Sequence, residues 1–136
     1  MLSGPKRSGP VEYMSFYEEF GRAIGKFSGV AGLITADRLN IVSERYDPSP
    51  GYDLVVATNV LVYFSDPELA LAMVNIQSML REGGYFVHNE SRDSVETIGR
   101  AVKMPIVDAK LIRLLENDRR AIYDTQVVHR KEPRRD

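Results

Sequence analysis

The chain has 136 residues, 43% of them apolar and 27% charged, with a formal net charge of −1; these are the proportions of one ordinary globular domain. Near-zero charge disfavours nucleic acid and anionic membrane as partners, and the absence of cysteine excludes disulfides, thiolate metal sites and a cysteine nucleophile. No run approaches the roughly 18 apolar residues of a membrane span, and the N-terminus lacks the apolar segment of a signal peptide, so no membrane contact and a cytoplasmic location are expected.

Residues 1–14 hold two Gly-Pro pairs and read as a flexible entry segment, in which Lys6 and Arg7 are too few charges for a nucleic-acid arm. A helix is expected next. Ser15 and Glu18 have capping-box spacing, and Phe16, Phe20, Ala23, Ile24 and Phe27 recur as one apolar stripe. The glycines between Gly25 and Gly32 follow this helix rather than a strand, and their spacing matches neither G-x-G-x-x-G nor the Walker pattern. They read as a helix end and loop, not as a phosphate cradle. Residues 39–46 (LNIVSERY) alternate and predict a strand, and residues 47–51 (DPSPG) a compact turn.

Residues 52–90 carry the strongest signals. Leu54-Val55-Val56-Ala57 is a continuous apolar run, the mark of a strand buried on both faces of a parallel sheet. A helix is announced by Ser65 and Glu68 at capping-box spacing and by Pro67 behind Asp66. Leu69, Ala72, Met73, Ile76, Met79 and Leu80 form its buried stripe, Gly83 closes it, and Tyr85 to His88 make the next strand. This is one βαβ unit.

After Glu90 a third helix is predicted, capped by Asp93 or Ser94, with Val95, Ile98 and Val102 inward and Pro105 as the stop. Residues 109–115 and 120–130 then form an antiparallel hairpin around the polar loop 116–119. Residues 132–136 are a charged tail, leaving 15–131 as a single α/β domain.

In open α/β sheets, ligands bind outside the carboxyl ends of the parallel strands. That rule selects Thr58, Asn59, Val60, Tyr63 and Phe64 after the first core strand, and Asn89, Glu90 and Ser91 after the second. Asn59 and Asn89 read equally as turn-capping residues and as ligand contacts. His88 and His129 lie far apart in sequence with no ligand spacing, so no metal site is expected.

The run from Asp53 to Phe64 (DLVVATNVLVYF), with the helix and the LREGGYFV turn behind it, resembles the second half of a class I S-adenosylmethionine-dependent methyltransferase. NVLVYFSDPE is especially similar to the chemotaxis-receptor methyltransferases and their relatives, and Glu82 stands where proline is common. The resemblance covers about residues 39–131. It implies a partial Rossmann-like methyltransferase sheet, mostly parallel with an antiparallel C-terminal hairpin and helices on its faces. It also implies S-adenosylmethionine as cofactor, bordered by Thr58, Asn59, Val60 and Glu44, and an acceptor facing Tyr63, Phe64, Asn89 and Glu90.

The family's glycine-rich cofactor loop and the acidic residue that holds the ribose are not found in residues 1–38, so the chain is expected to start between the family's second and third strands and to bind the cofactor weakly or not at all by itself. The [DNS]-P-P-[YFW] motif of base N-methyltransferases is also missing, which leaves small-molecule or protein acceptors. A non-catalytic binding or regulatory module is the alternative. The missing first strand would leave residues 54–57 with an open edge, which invites pairing. Residues 39–46 are expected to move in beside it, or another chain to cover it.

Overall fold

The computed structural model describes residues 31–117 and 120–135. The chain divides into two units, residues 1–38 and 39–136. Within the first, Ala31–Leu33 form a 3-10 turn; the expected entry segment and the helix after Ser15 lie outside the described residues. The second unit holds β1 (Tyr52–Ala57), α1 (Asp66–Met79), β2 (Leu80–His88), α2 (Ser94–Ala101), β3 (Ile106–Asn117) and β4 (Arg120–Arg130).

The βαβ unit forms as predicted. Glu68 Oε2 accepts hydrogen bonds from Ser65 N (2.8 Å) and Ser65 Oγ (2.7 Å), and Pro67 occupies the first turn, so α1 starts where the capping box says it should. Its stripe of Leu69, Ala72, Met73, Ile76 and Met79 is buried. Strand β2 starts at Leu80, directly behind the helix and earlier than expected. Gly83 sits inside it at φ 73°, where its N–H donates to Lys131 O at 3.0 Å. The pairing of β1 with β2 is irregular between Tyr52 and Leu54 on this account. Lys131 Nζ donates to Gln77 O and Leu80 O, both at 2.7 Å, and so closes the C-terminal end of α1 with a cation.

The described strands make one sheet in the order β1-β2-β4-β3. Only β1 and β2 are parallel; β4 runs antiparallel to both β2 and β3, so the expected mostly parallel sheet is instead mixed. The predicted C-terminal hairpin is present, with β3 longer at both ends than its apolar core suggested. Both described helices pack on the same face. There Val55, Ala57 and Phe86 meet Leu61, Leu69, Met73, Ile76, Val95 and Met104 in one core. Burying side chains of this size is worth about 1.5–3 kcal/mol each. The opposite face carries Leu54, Val56 and Tyr85, which are 53, 57 and 42% exposed. The expected second helical layer is therefore absent among the described residues.

Residues 39–46 do not form the predicted strand. Asn40 takes over the local backbone: its Oδ1 accepts from Val42 N (3.1 Å) and Ser43 N (3.3 Å), its carbonyl accepts from Glu44 N (2.8 Å), and its own N–H donates to Glu44 Oε2 (2.7 Å). A side chain that satisfies its neighbours' amides in this way favours a turn over a ladder. Asn75 of α1 then holds the turn through Ile41 O (2.7 Å) and Val42 O (3.3 Å). The segment thus does not move in beside β1, and β1 pairs only with β2 among the described residues.

Candidate functional site at the carboxyl ends of β1 and β2

The two core strands end side by side, Ala57 opposite His88. Just beyond them Asn59 turns the chain at φ 58°, a left-handed conformation that asparagine tolerates better than most residues. It is held there by Asn89. Asn59 N–H donates to Asn89 Oδ1 at 2.8 Å, and Asn89 Nδ2 donates back to Asn59 Oδ1 at 2.8 Å and on to Asp124 Oδ2 at 3.1 Å. The Asn89 side chain thus serves the Asn59 backbone N–H, the Asn59 side chain bonds the Asn89 side chain, and the pair bridges the two strand ends. Thr58, Val60 and Tyr63 stand exposed around them, Tyr63 at 81%. Phe64 turns inward against the core.

Glu90 lies at the head of the next loop, and its carboxylate is fully engaged. Oε1 accepts from Ser91 N (2.9 Å) and Arg92 N (3.1 Å), and Oε2 accepts from Arg92 Nη2 (3.1 Å). Burial pushes its pKa up, but the hydrogen bonds and charge of Arg92, helped by the Ser91 amide, outweigh that and hold the carboxyl below its usual value. Glu90 shapes its loop and is a weak base.

Arg92, which sequence reasoning did not single out, ties the site together. Nη1 donates to Phe64 O (2.7 Å) and Asp66 Oδ1 (3.1 Å), while Nη2 donates to Leu61 O (2.8 Å) as well as to Glu90. One guanidinium thus joins the loop after β2 to the 3-10 turn Leu61–Tyr63 and to the start of α1. Ser94 Oγ adds a 2.9 Å bond to Asp66. Nothing in the spacing of Arg92 distinguishes it from a solvent-facing arginine, and Asp124 is equally anonymous within β4.

Beside this loop is a cavity of about 430 Å³. Glu90, Arg92, Asp93, Glu96 and Thr97 form its polar wall, and Ile106, Ala109, Thr125 and Val127 its largely apolar floor. The volume is in the range of small-molecule sites. Glu44 is not joined to this cluster: its carboxylate caps the Asn40 turn, which is held by Asn75 in the second half of α1. Among the described residues no group of three metal-ligating side chains converges, and no helix is long and apolar enough to cross a membrane.

Beneath the site the structure joins two residues that the sequence keeps apart. His88 and His129 are buried, 1 and 0% exposed, with their Nε2 atoms 2.9 Å apart and their rings stacked at 27°.

No protein-family model and no curated protein matches the sequence. Solved structures do match. An S-adenosylmethionine-dependent methyltransferase of Methanosarcina mazei aligns with a TM-score of 0.54 at 12% identity, over 69% of this chain and 65% of that one. The N-methyltransferase NodS of Bradyrhizobium japonicum, in complex with S-adenosyl-L-homocysteine, aligns at 0.51 with 20% identity over 81% and 62%. A possible exported protein of Bordetella parapertussis aligns at 0.57 with 14% identity over 82% and 48%. The chain spans less than two thirds of each of these proteins. Over the aligned part its fold is similar to that of the S-adenosylmethionine-dependent methyltransferases among them.

Proposed function

We propose that the chain supplies the later strands of an S-adenosylmethionine-dependent methyltransferase acting on a small-molecule or protein acceptor. The observation that carries this reading is the Asn59–Asn89 pair, which closes the carboxyl ends of two parallel strands beside a cavity, on a sheet of methyltransferase type. Thr58, Asn59 and Val60 would border the cofactor, and Tyr63, Asn89 and Glu90 the acceptor, with Phe64 packed inward behind them. S-Adenosylmethionine supplies an electrophilic methyl group; its transfer is an in-line displacement that needs positioning more than a strong base. A Glu90 already engaged with Arg92 suits that demand.

The glycine-rich loop that anchors the cofactor's methionine part would come from outside residues 1–136, so the chain alone should bind S-adenosylmethionine weakly or not at all. Sequencing the DNA upstream of Met1 tests this. An in-frame acidic-Gly-x-Gly loop behind an apolar strand is expected, and the longer chain should then bind S-adenosylhomocysteine in calorimetry. An authentic promoter there, or a micromolar Kd for residues 1–136 alone, overturns the division. The exposed sheet residues Leu54, Val56 and Tyr85 favour a second reading, a non-catalytic methyltransferase-like binding or regulatory module that uses this surface and the edge of residues 54–57 for a partner. A cytoplasmic setting fits both readings.

A further inference from the structure

The His88–His129 pair is a buried titratable group that methyl transfer does not use. Its geometry assigns every proton. Glu90 N–H points at His88 Nδ1 at 3.0 Å, so that nitrogen accepts. His129 Nδ1 faces the carbonyl of Met104 at 2.7 Å, so that nitrogen donates. A neutral imidazole has one donor and one acceptor. His88 Nε2–H must then donate to His129 Nε2 across the 2.9 Å gap. The result is a one-way chain of three hydrogen bonds, from the Glu90 amide through both rings to Met104, with the two histidines in opposite tautomers.

We propose that His88 and His129 are positioning residues: the bond from His88 Nε2–H to His129 Nε2 keeps His88 in the tautomer whose Nδ1 accepts from Glu90 N–H, which holds the head of the Glu90–Arg92 loop, and an added proton on the pair removes that acceptor. The step follows from proton count. A proton added at His88 Nδ1 sets two donors, the ring N–H and the Glu90 N–H, against each other. A proton added at His129 Nε2 does the same to the bond between the rings. Neither ring can gain a proton and keep all three bonds.

His129 is closely packed. A Cβ on Gly99 of α2 would lie 2.8 Å from His129 Cε1 and Nδ1, and Phe86 stacks on His129 at 5.8 Å between centroids. Among the described residues the charged or titratable groups that bear on His88 are His129 from β4 and Glu90 from its own loop; α2 and the turn after it present Gly99 and the Met104 carbonyl, which carry no charge. Because Glu90 holds Arg92, and Arg92 holds the turn after β1, the relay reaches both strand ends. None of this depends on the cofactor or acceptor.

The test uses two side chains that each keep one of the two His88 bonds. In His88→Asn the amide oxygen replaces Nδ1 and still accepts from Glu90 N–H. In His88→Gln the amide nitrogen replaces Nε2 and still donates to His129, but Glu90 loses its acceptor. Hydrogen exchange at the Glu90 amide, followed by NMR, should stay near wild type in His88→Asn and speed up about tenfold in His88→Gln, the upper range for one net hydrogen bond. Equal exchange in the two variants overturns the anchoring. Should neither variant fold, imidazole 15N shifts of the wild-type chain at neutral pH decide. Nε2–H at His88 with Nδ1–H at His129 is expected, and the same tautomer at both, or a charged ring, refutes the relay.

Discussion

Acid should destabilise this protein well before its carboxylates protonate, and the histidine pair sets the amount. Burial, and after it neighbouring His129, lower the pKa of His88 from 6.5 to about 4 against a smaller opposing effect of Glu90. His129 is lowered as well, mainly by burial. Between these folded and unfolded values the unfolded chain binds more protons than the folded one, so stability falls as pH falls through the window from about 6.5 to about 4. For His88 alone, moving from about pH 8 to about pH 5 leaves the unfolded ring almost fully charged and the folded ring about one-tenth charged. That costs about 2 kcal/mol, rising toward about 3 kcal/mol below the folded value. His129 adds in the same direction. The depressed carboxyls Glu68 and Glu90 lose their contribution only at lower pH, from about 4.5 downward, so the interval down to about pH 5 isolates the histidines.

Urea unfolding at constant ionic strength reads this directly, as a drop in midpoint with unchanged slope. In His88→Asn the pH dependence should shrink to the share of His129. A wild-type stability that differs by less than about 0.5 kcal/mol between about pH 8 and about pH 5, against the roughly 2 kcal/mol derived above, would show that the pair is not buried and neutral, and the reasoning would fail.

Replacing Arg92 by lysine should cost about 1–3 kcal/mol in urea unfolding, because one ammonium cannot serve Leu61 O, Phe64 O, Asp66 and Glu90 together; no loss would mean the guanidinium bonds are not made in solution. Asn59→Ala should be less stable than Asn59→Gly by about 1 kcal/mol, since both lose the bond from Asn89 Nδ2 and keep the backbone N–H bond to Asn89 Oδ1, but only alanine is strained at φ 58°; equal midpoints would argue against that backbone conformation. Gly99→Ala should lower Tm by several degrees, because its Cβ would come within 2.7 Å of Met104 O and 2.8 Å of the His129 ring, an overpacking penalty of about 1–3 kcal/mol. A Tm unchanged in a thermal melt would contradict the close packing of α2 on β4.

The βαβ unit was legible because its signals are local. A capping box, a proline in the first turn and an apolar stripe at helical spacing act within one helix, and Ser65, Pro67 and Met73 do in the structure what their spacing says. The rule that ligands gather at strand ends brought out Asn59, Asn89 and Glu90, which do share one corner. Residues 39–46 failed for a local reason that alternation does not register: the Asn40 side chain competes for the amides that a ladder would need.

By itself, then, the sequence determined the strand–helix–strand core, the hairpin behind it and the polar residues at the strand ends, since each depends on neighbours in the chain. Only the tertiary structure decided that β4 inserts between β2 and β3, that the described helices share one face, and that Arg92 and Asp124 complete the site. It also turned His88 and His129 from two isolated residues into a hydrogen-bonded pair. Strand order and long-range polar partners are set by which faces can be buried together and by the need to satisfy every buried donor and acceptor, and neither leaves a periodic mark along the chain.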